Sequence, residues 1–399
     1  MLASAALVAL SLPVLAWTGY LAWLALLSMG GRFATAASSE GALTVFDLIV
    51  PAHNEEAGIA ETVASLIAMD YPAPHRRIVV VADNCTDATA ARAAQAGAVV
   101  LERNDLDRKG KGYALARAFE HSFGSGASAV VVVDADTRVS KNLLRAFDAR
   151  LRAGARAVQA HYAVANRHDS WRTRLMHIAF TLFHDVRSRG RERMRVSAGL
   201  RGNGMAFAVE TLREVPHDAF SVVEDVEYGI RLGFAGHRVV YAGDAQVFGD
   251  MVSSEKASRS QRRRWEGGRW ALARAHAPRL VIEGLRRHDP MLLDLAADLL
   301  VPPLTYVVLT SMGGTLACLT AVLAHAAPPW VLAPWGVCLF LLAVYLVRGI
   351  WLSGAGIRAV LDLSWAPFYM MWKVGLALFG TKPKKEEWVR TARERKGQH

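Results

Sequence analysis

Hydrophobic and polar positions divide the chain into three stretches. Residues 3–30 are apolar and nearly uncharged, long enough to cross a bilayer. A cleaved secretory leader is the alternative. No basic segment precedes this run, it exceeds a leader's apolar centre, and no clear small-x-small cleavage site follows. The pattern therefore predicts an uncleaved membrane helix over residues 1–31, with a small, polar linker over 31–43.

From residue 44 the pattern alternates between short, continuously apolar runs and segments of helical period. Strands are predicted at Val45–Val50, Arg77–Ala82, Ala98–Glu102 and Ala129–Val133, and helices at Ala57–Met69, Asp87–Gln95 and Tyr113–His121. A further strand is expected at Ala157–Ala163 and a helix near Asp225. Apolar β-branched strands alternating with helices imply a parallel sheet covered on both faces. In such sheets ligands bind beyond the carboxyl ends of the strands. Asp83 directly follows the second strand and Asp134 the fourth, so both fall on that rim.

Apolar spans return at Leu300–Leu323 and Pro329–Trp351. A third apolar stretch, Ile357–Leu378, contains Arg358, Asp362 and Lys373, and is expected to lie in the interface or re-enter the membrane rather than cross it. The expected organisation is a membrane helix at 1–31, a catalytic α/β domain at 44–255 and a basic interfacial region at 256–290. A membrane region at 291–380 and a basic tail at 381–399 follow.

Charge sharpens this picture by its placement. The chain carries 47 Lys and Arg against 36 Asp and Glu, a net +11. Glu255–Arg287 holds ten Lys or Arg and three Glu, a net +7, and Lys382–Lys396 holds seven and three, a net +4. Both runs border apolar segments, which fits anionic headgroups. The first run also suits a diphosphate. No nucleic-acid module accompanies it, so nucleic acid is not an expected partner. The three cysteines, Cys85, Cys318 and Cys338, have no metal-ligand spacing and form no disulfide framework.

Four constellations carry chemistry. Asp83, in Val81-Ala82-Asp83-Asn84, can accept hydrogen bonds from a base or ribose, while Asp87 or Thr86 suits a helix cap. Asp134-Ala135-Asp136 leaves a four-valine run, and two carboxylates so spaced can approach one Mg²⁺ or Mn²⁺ with phosphate oxygens, or form a polar turn. Glu224-Asp225 opens a helix, where acids are favoured by the macrodipole, yet a carboxylate there can also act as general base. Gln261-Arg262-Arg263-Arg264-Trp265 offers guanidinium groups for phosphate and an indole face for a sugar, or a basic membrane-surface helix. His161 near a strand end is compatible with a metal or with a structural role.

Together these constellations resemble the inverting, GT-A-fold glycosyltransferases of family 2, and more narrowly membrane-integrated members such as cellulose, chitin and hyaluronan synthases and ceramide glucosyltransferase. The resemblance covers about residues 44–275 and a tail segment, Trp388–Arg393. It implies nucleotide-sugar binding by Pro51, Glu55, Asp83, Lys111 and Asp134, and metal on Asp136. It implies diphosphate or acceptor contacts by Gly202, Asn203, Gln261, Arg263, Arg264 and Trp265. Asp225 would be the base. The expected reaction moves a sugar from a nucleotide-diphosphate donor, UDP above all, to a lipid-linked or saccharide acceptor with inversion, using Mg²⁺ or Mn²⁺. A polyprenyl-phosphate glycosyltransferase, a processive exopolysaccharide synthase subunit with export partners, and a silent nucleotide-sugar-binding subunit are the alternatives. A catalytic domain facing the cytosol from the plasma (bacterial inner) membrane completes the expectation, since the basic tail also favours that side.

Overall fold

The computed structural model describes residues 2–30, 42–221, 223–251, 255–356 and 358–365, with the backbone alone at 2–3, 255–266 and 360. Strands β1 (Phe46–Ala52), β2 (Arg76–Asp83), β3 (Val99–Arg103) and β4 (Ala129–Val132) alternate with α2 (Ile59–Ile67), α3 (Thr89–Gln95) and α4 (Lys111–Phe123). Helix α1 (Leu2–Leu27) precedes them. Short β5 (Thr137–Val139), α5 (Leu143–Arg152) and β6 (Ala157–Val164) follow. Every residue of β1 is buried, because the sheet is covered on both sides. Leu48, Val50, Val80 and Val131 pack with Ile59, Val63 and Phe147 on one face. Ile49, Val79, Val81 and Val130 pack with Leu115, Phe119 and Tyr228 on the other. That period of two is why the strands read as unbroken apolar runs.

The sheet is mixed rather than parallel. Its order is β3-β2-β1-β4-β7-β6-β8-β5, with β7 at Met205–Ala208 and β8 at Val239–Gly249. The first four strands run parallel, as the alternation predicts. Strand β7 is antiparallel to both β4 and β6. The cause is the excursion over 165–204, which leaves the sheet beyond the end of β6 and re-enters at the same end. The returning strand must therefore run the other way.

That excursion is a nearly continuous helix, α6 (Trp171–Phe180) and α7 (Arg187–Arg193), joined by one π-helical segment, Thr181–Val186. Its apolar side packs Leu182 and Val186 against Leu21 and Ala25 of α1 and Leu342 and Tyr345 of α13 (Ala333–Ser353). The sheet is thereby seated on the apolar helices. After α8 (Val209–Glu214) and α9 (Glu224–Phe234), the 32-residue α10 (Glu255–Arg286) runs to α11 (Pro290–Leu300). Leu280 of α10 packs with Leu292 and Leu295 of α11 and Ile230 of α9.

Among the described residues, three helices are long and apolar enough to cross a membrane: Ser4–Leu27, Leu304–Leu323 (α12) and Pro329–Ser353. They expose large apolar side chains, including Leu316, Phe340 and Trp351, as lipid-facing helices do. The second span starts four residues later than expected, since Pro302 and Pro303 interrupt the helix. Beyond it, α14 (Arg358–Leu363) is tied to α6 by Arg174–Asp362 at 2.8 Å and by Trp171 stacked on Trp365. The rest of the expected interfacial stretch, the linker at 31–41 and the tail lie outside the described residues.

Leu48→Ala removes a side chain that is fully buried in the sheet. The expected cost is about 2–5 kcal/mol, read as a fall of at least about 4 °C in the thermal midpoint of the detergent-solubilised chain. An unchanged midpoint would contradict the packing described.

Candidate active site

The carboxyl ends of β1 and β2 form one wall. Pro51 lies in β1 opposite Val81, and Asp83 ends β2. Asp83 is fully buried. Its Oδ1 accepts from Arg103 at 2.6 Å, and Arg103 also donates to Asp105 at 2.9 Å. Its Oδ2 has no hydrogen-bond partner among the described residues. A buried carboxylate oxygen left without a donor is costly, so this atom suits the N–H or O–H of a ligand. The loop after β1 is laced to the loop after β2. His53 Nδ1 lies 2.7 Å from the Asp83 carbonyl, Asn54 accepts from the Thr86 N–H at 2.8 Å, and the Glu55 N–H donates to Thr89 at 2.8 Å. Pro51, Glu55 and Asp83 thus share one rim of the sheet.

Lys111 stands in the middle. It opens α4 directly after Gly110, whose φ of +134° only glycine adopts without strain. Its Nζ donates to Asp134 Oδ1 at 2.6 Å and to the Gly202 carbonyl at 2.5 Å, and lies 3.7 Å from Glu224 Oε1. The neighbouring position is equally constrained. A Cβ on Gly112 would stand 2.4 Å from the Ala219 carbonyl, so glycine lets the loop before α9 lie on α4. Phe220 of that loop stacks on Tyr113 with ring centroids 4.3 Å apart.

Glu224 and Asp225 begin α9, facing Gly202 and Asn203. A Cβ on Gly202, at φ +78°, would lie 3.4 Å from Asp225 Oδ2. Asn203 is fully buried; it accepts from the Asp134 N–H at 3.2 Å and donates to Thr137 at 2.7 Å. Gln159 in turn donates to the Asn203 carbonyl at 2.7 Å and accepts from the Arg201 N–H at 2.8 Å. Burial raises the Asp225 carboxyl above its ordinary range against the pull of Lys111. Burial also pushes Glu224 up to about 7, with Lys111 opposing and Asp225 reinforcing.

Asp136 follows Asp134 by two residues and is half-buried, and Thr137 Oγ1 lies 3.3 Å from its Oδ1. Antiparallel pairing of β5 with β8 sets Thr137, the neighbour of Asp136, opposite Gly249, the neighbour of Asp250. Arg138 lies 3.9 Å from Asp250. No cluster of three or more His, Cys, Asp or Glu suited to a metal occurs among the described residues. Two oxygen donors, one engaged by Lys111, fit a Mg²⁺ or Mn²⁺ whose shell is completed by substrate phosphates. His161 is half-buried 3.5 Å from Gln246, and desolvation lowers its pKa.

Of the residues singled out in the sequence, the fold brings together Lys111, Asp134, Gly202, Asn203 and Asp225, with Pro51, Glu55 and Asp83 along the same rim. Gln261, Arg263, Arg264 and Trp265 belong to α10, and their side chains lie outside the described residues. Sequence reasoning missed Arg103 as the partner of Asp83 and Glu224 as a partner of Lys111. Arg103 ends β3, and its place beside β2 was the available signal.

Residues 44–268 match the family described as glycosyltransferase like family 2. Over 231 residues the chain is 25% identical to glucomannan 4-beta-mannosyltransferase 1 of Oryza sativa subsp. japonica, covering 55% of this chain and 44% of that protein. Over 235 residues it is 31% identical to beta-monoglucosyldiacylglycerol synthase of Synechocystis sp., covering 55% and 47%. The chain spans about half the length of the curated relatives it matches. Among solved structures, the mannosyltransferase PcManGT of Pyrobaculum calidifontis, in complex with GDP-Man and Mn²⁺, is similar with a TM-score of 0.54 at 18% identity. The match covers 86% of this chain and 97% of that one, and the likeness is one of fold.

The raised Glu224 gives a signed expectation. Between about pH 4.5 and 7 the folded chain retains a proton that the unfolded chain has released, so this group lowers stability as pH rises through that window. Glu224→Gln removes that dependence. Its thermal midpoint should fall less than the wild type's between pH 5 and 8, a tenfold difference in proton affinity between folded and unfolded chain being worth about 1.4 kcal/mol. Parallel curves for the two proteins would contradict the assignment.

Proposed function

We propose, from the premise that this chain belongs to glycosyltransferase family 2 and has its GT-A fold, that it transfers a sugar with inversion from a nucleoside-diphosphate donor to an acceptor at a membrane. The observation that carries this reading is the convergence on Lys111, whose one ammonium joins the Asp134 end of β4 to the Glu224–Asp225 start of α9. Donor-binding and proton-accepting groups are thereby held within one ammonium's reach of each other.

In this reading the unpartnered Asp83 Oδ2 receives the nucleoside, with Pro51 and Glu55 along the same rim, and uridine is the base to test first. Asp136 would hold a Mg²⁺ or Mn²⁺ ion, which supplies charge neutralisation for the leaving diphosphate. Asp134, fixed by Lys111 and by Asn203, keeps that strand end in place. Asp225 takes the proton of the acceptor hydroxyl as its oxygen bonds to the anomeric carbon and the bond to the diphosphate breaks. Attack opposite the leaving group inverts the centre, so an α-linked donor gives a β-glycoside. Its raised pKa makes Asp225 a stronger base than an exposed aspartate. Gln261, Arg263, Arg264 and Trp265 of α10 are proposed to close the site over diphosphate and acceptor. The three apolar helices would fix the domain at the bilayer surface, where a lipid-linked or saccharide acceptor is presented.

Asp225→Asn keeps the side chain's shape and removes its basicity. Transfer should fall by about 10²–10⁴-fold while UDP still binds in the presence of Mn²⁺. Transfer at the wild-type rate would remove Asp225 from the role. Asp136→Asn should instead abolish the Mn²⁺ dependence of UDP binding, measured by calorimetry; an unaltered dependence would place the ion elsewhere.

A further inference from the structure

Behind the Asp225 side of the site, four arginines crowd together between the sheet and the apolar helices. Arg187, Arg191 and Arg269 share one carboxylate, Asp298 of α11: Arg187 at 3.2 Å, Arg191 at 3.4 Å and Arg269 at 3.6 Å. Arg191 is 1% exposed and also pairs with Asp294 at 2.6 Å. Arg201 joins them without a carboxylate of its own. It shares the Ala198 carbonyl with Arg191, at 3.4 and 3.5 Å. The guanidinium carbons of Arg201, Arg187 and Arg269 stand 4.3, 4.9 and 5.5 Å from the centroid of Phe183, which lies in the π-helical segment. π-Helical insertions occur often at functional sites.

The charges do not balance. Asp294 and Asp298 are the two carboxylates that form ion pairs with these guanidinium groups among the described residues, and Asp225 acts on Arg201 only through space; a buried cation without a paired anion is strongly disfavoured. Arg201 is the unmatched member. It is 7% exposed, makes no ion pair among the described residues, and its Nε has no hydrogen-bond partner. Nη2 of Arg191 has none either. Burial and the three neighbouring guanidinium groups lower the Arg201 pKa to about 10 against the pull of Asp298. Arg201 immediately precedes Gly202, the residue that faces Asp225, and its charge is felt by the Asp225 carboxyl.

We propose that Arg201, backed by Arg187, Arg191 and Arg269, binds the phosphate group of the acceptor, so that the acceptor is an amphiphile bearing phosphate next to the hydroxyl or oxygen that receives the sugar. Guanidinium groups match phosphate through paired N–H donors. The lipid character follows from the surroundings. Tyr20 of α1 donates to Asp294 at 2.9 Å and Arg187 lies 3.2 Å from the Tyr345 hydroxyl of α13, so the spanning helices themselves wall the cluster. Arg269 also lines a small cleft with Trp270, Leu299, Val301, Pro302 and Pro303 at the foot of α12. This inference rests on the proposed transfer reaction for its meaning, but its test does not.

The test is calorimetric binding to the full chain in neutral detergent, with three probes: dihexanoyl phosphatidic acid, dihexanoylglycerol and inorganic phosphate. Phosphatidic acid should bind, more weakly as salt is raised, and dihexanoylglycerol should not. Arg201→Gln should weaken phosphatidic acid binding by about tenfold or more, with Arg201→Lys in between. UDP binding with Mn²⁺ reports that each variant is folded. Equal affinity of wild type and Arg201→Gln for phosphatidic acid overturns the proposal and leaves the cluster as a structural clamp. Inorganic phosphate binding as tightly as the lipid supports the anion site and overturns the lipid source. Failure of wild type to bind UDP overturns the donor reading while leaving the phosphate result standing.

Discussion

The ammonium of Lys111, 2.6 Å from Asp134 and 2.5 Å from the Gly202 carbonyl, is the constraint on which the rest of the site depends. Without a cation there, Asp134, Glu224 and Asp225 would place three carboxylates in one buried space, an arrangement that like-charge repulsion and desolvation both disfavour. With it, three remote parts of the chain share one register: the end of β4, the glycine loop before β7 and the start of α9. Burial drives the Lys111 pKa down and the three carboxylates drive it up, with the net shift upward. The cation therefore persists across the whole physiological range, and the site stays assembled before any substrate arrives.

Backbone economy makes this convergence possible. Gly199, Gly202 and Gly204 all adopt positive φ, and they turn the chain so that Arg201 points toward the arginine cluster while Asn203 points back to β4. A Cβ at Gly204 would stand 2.8 Å from Val247, so this loop is pressed flat against β8. One short turn thus connects the acid-lined rim around Lys111 to the arginine cluster beside the apolar helices. The excess of acid at one is separated from the excess of base at the other by a single residue, Gly202.

Much of this is legible in the sequence. The valine runs of β2 and β4 announce buried strands, and their positions put Asp83 and Asp134 on the correct rim. Lys111, Gly202 and Asn203 stand out by motif, and the fold brings them together with Asp225. What the pattern does not carry is strand direction. The β6-to-β7 connection is a helical excursion over the apolar helices, and nothing local in Met205–Ala208 tells that its partners run opposite. The arginine cluster is hidden for a related reason. Arg187, Arg191 and Arg201 lie close in the chain and look like an ordinary basic surface, because Arg269 and the Asp298 that draws Arg187, Arg191 and Arg269 together come from remote segments.

In the proposed reaction, donor and base meet at the carboxyl ends of β2 and β4 around Lys111. The most direct measurement of that meeting is a structure of the chain soaked with UDP and Mn²⁺, with anomalous scattering used to locate the metal. One manganese peak is expected at the Asp136 carboxylate, with the uridine hydrogen-bonded to Asp83 Oδ2. A peak away from Asp136, or a nucleoside that leaves Asp83 Oδ2 without a donor, would contradict it.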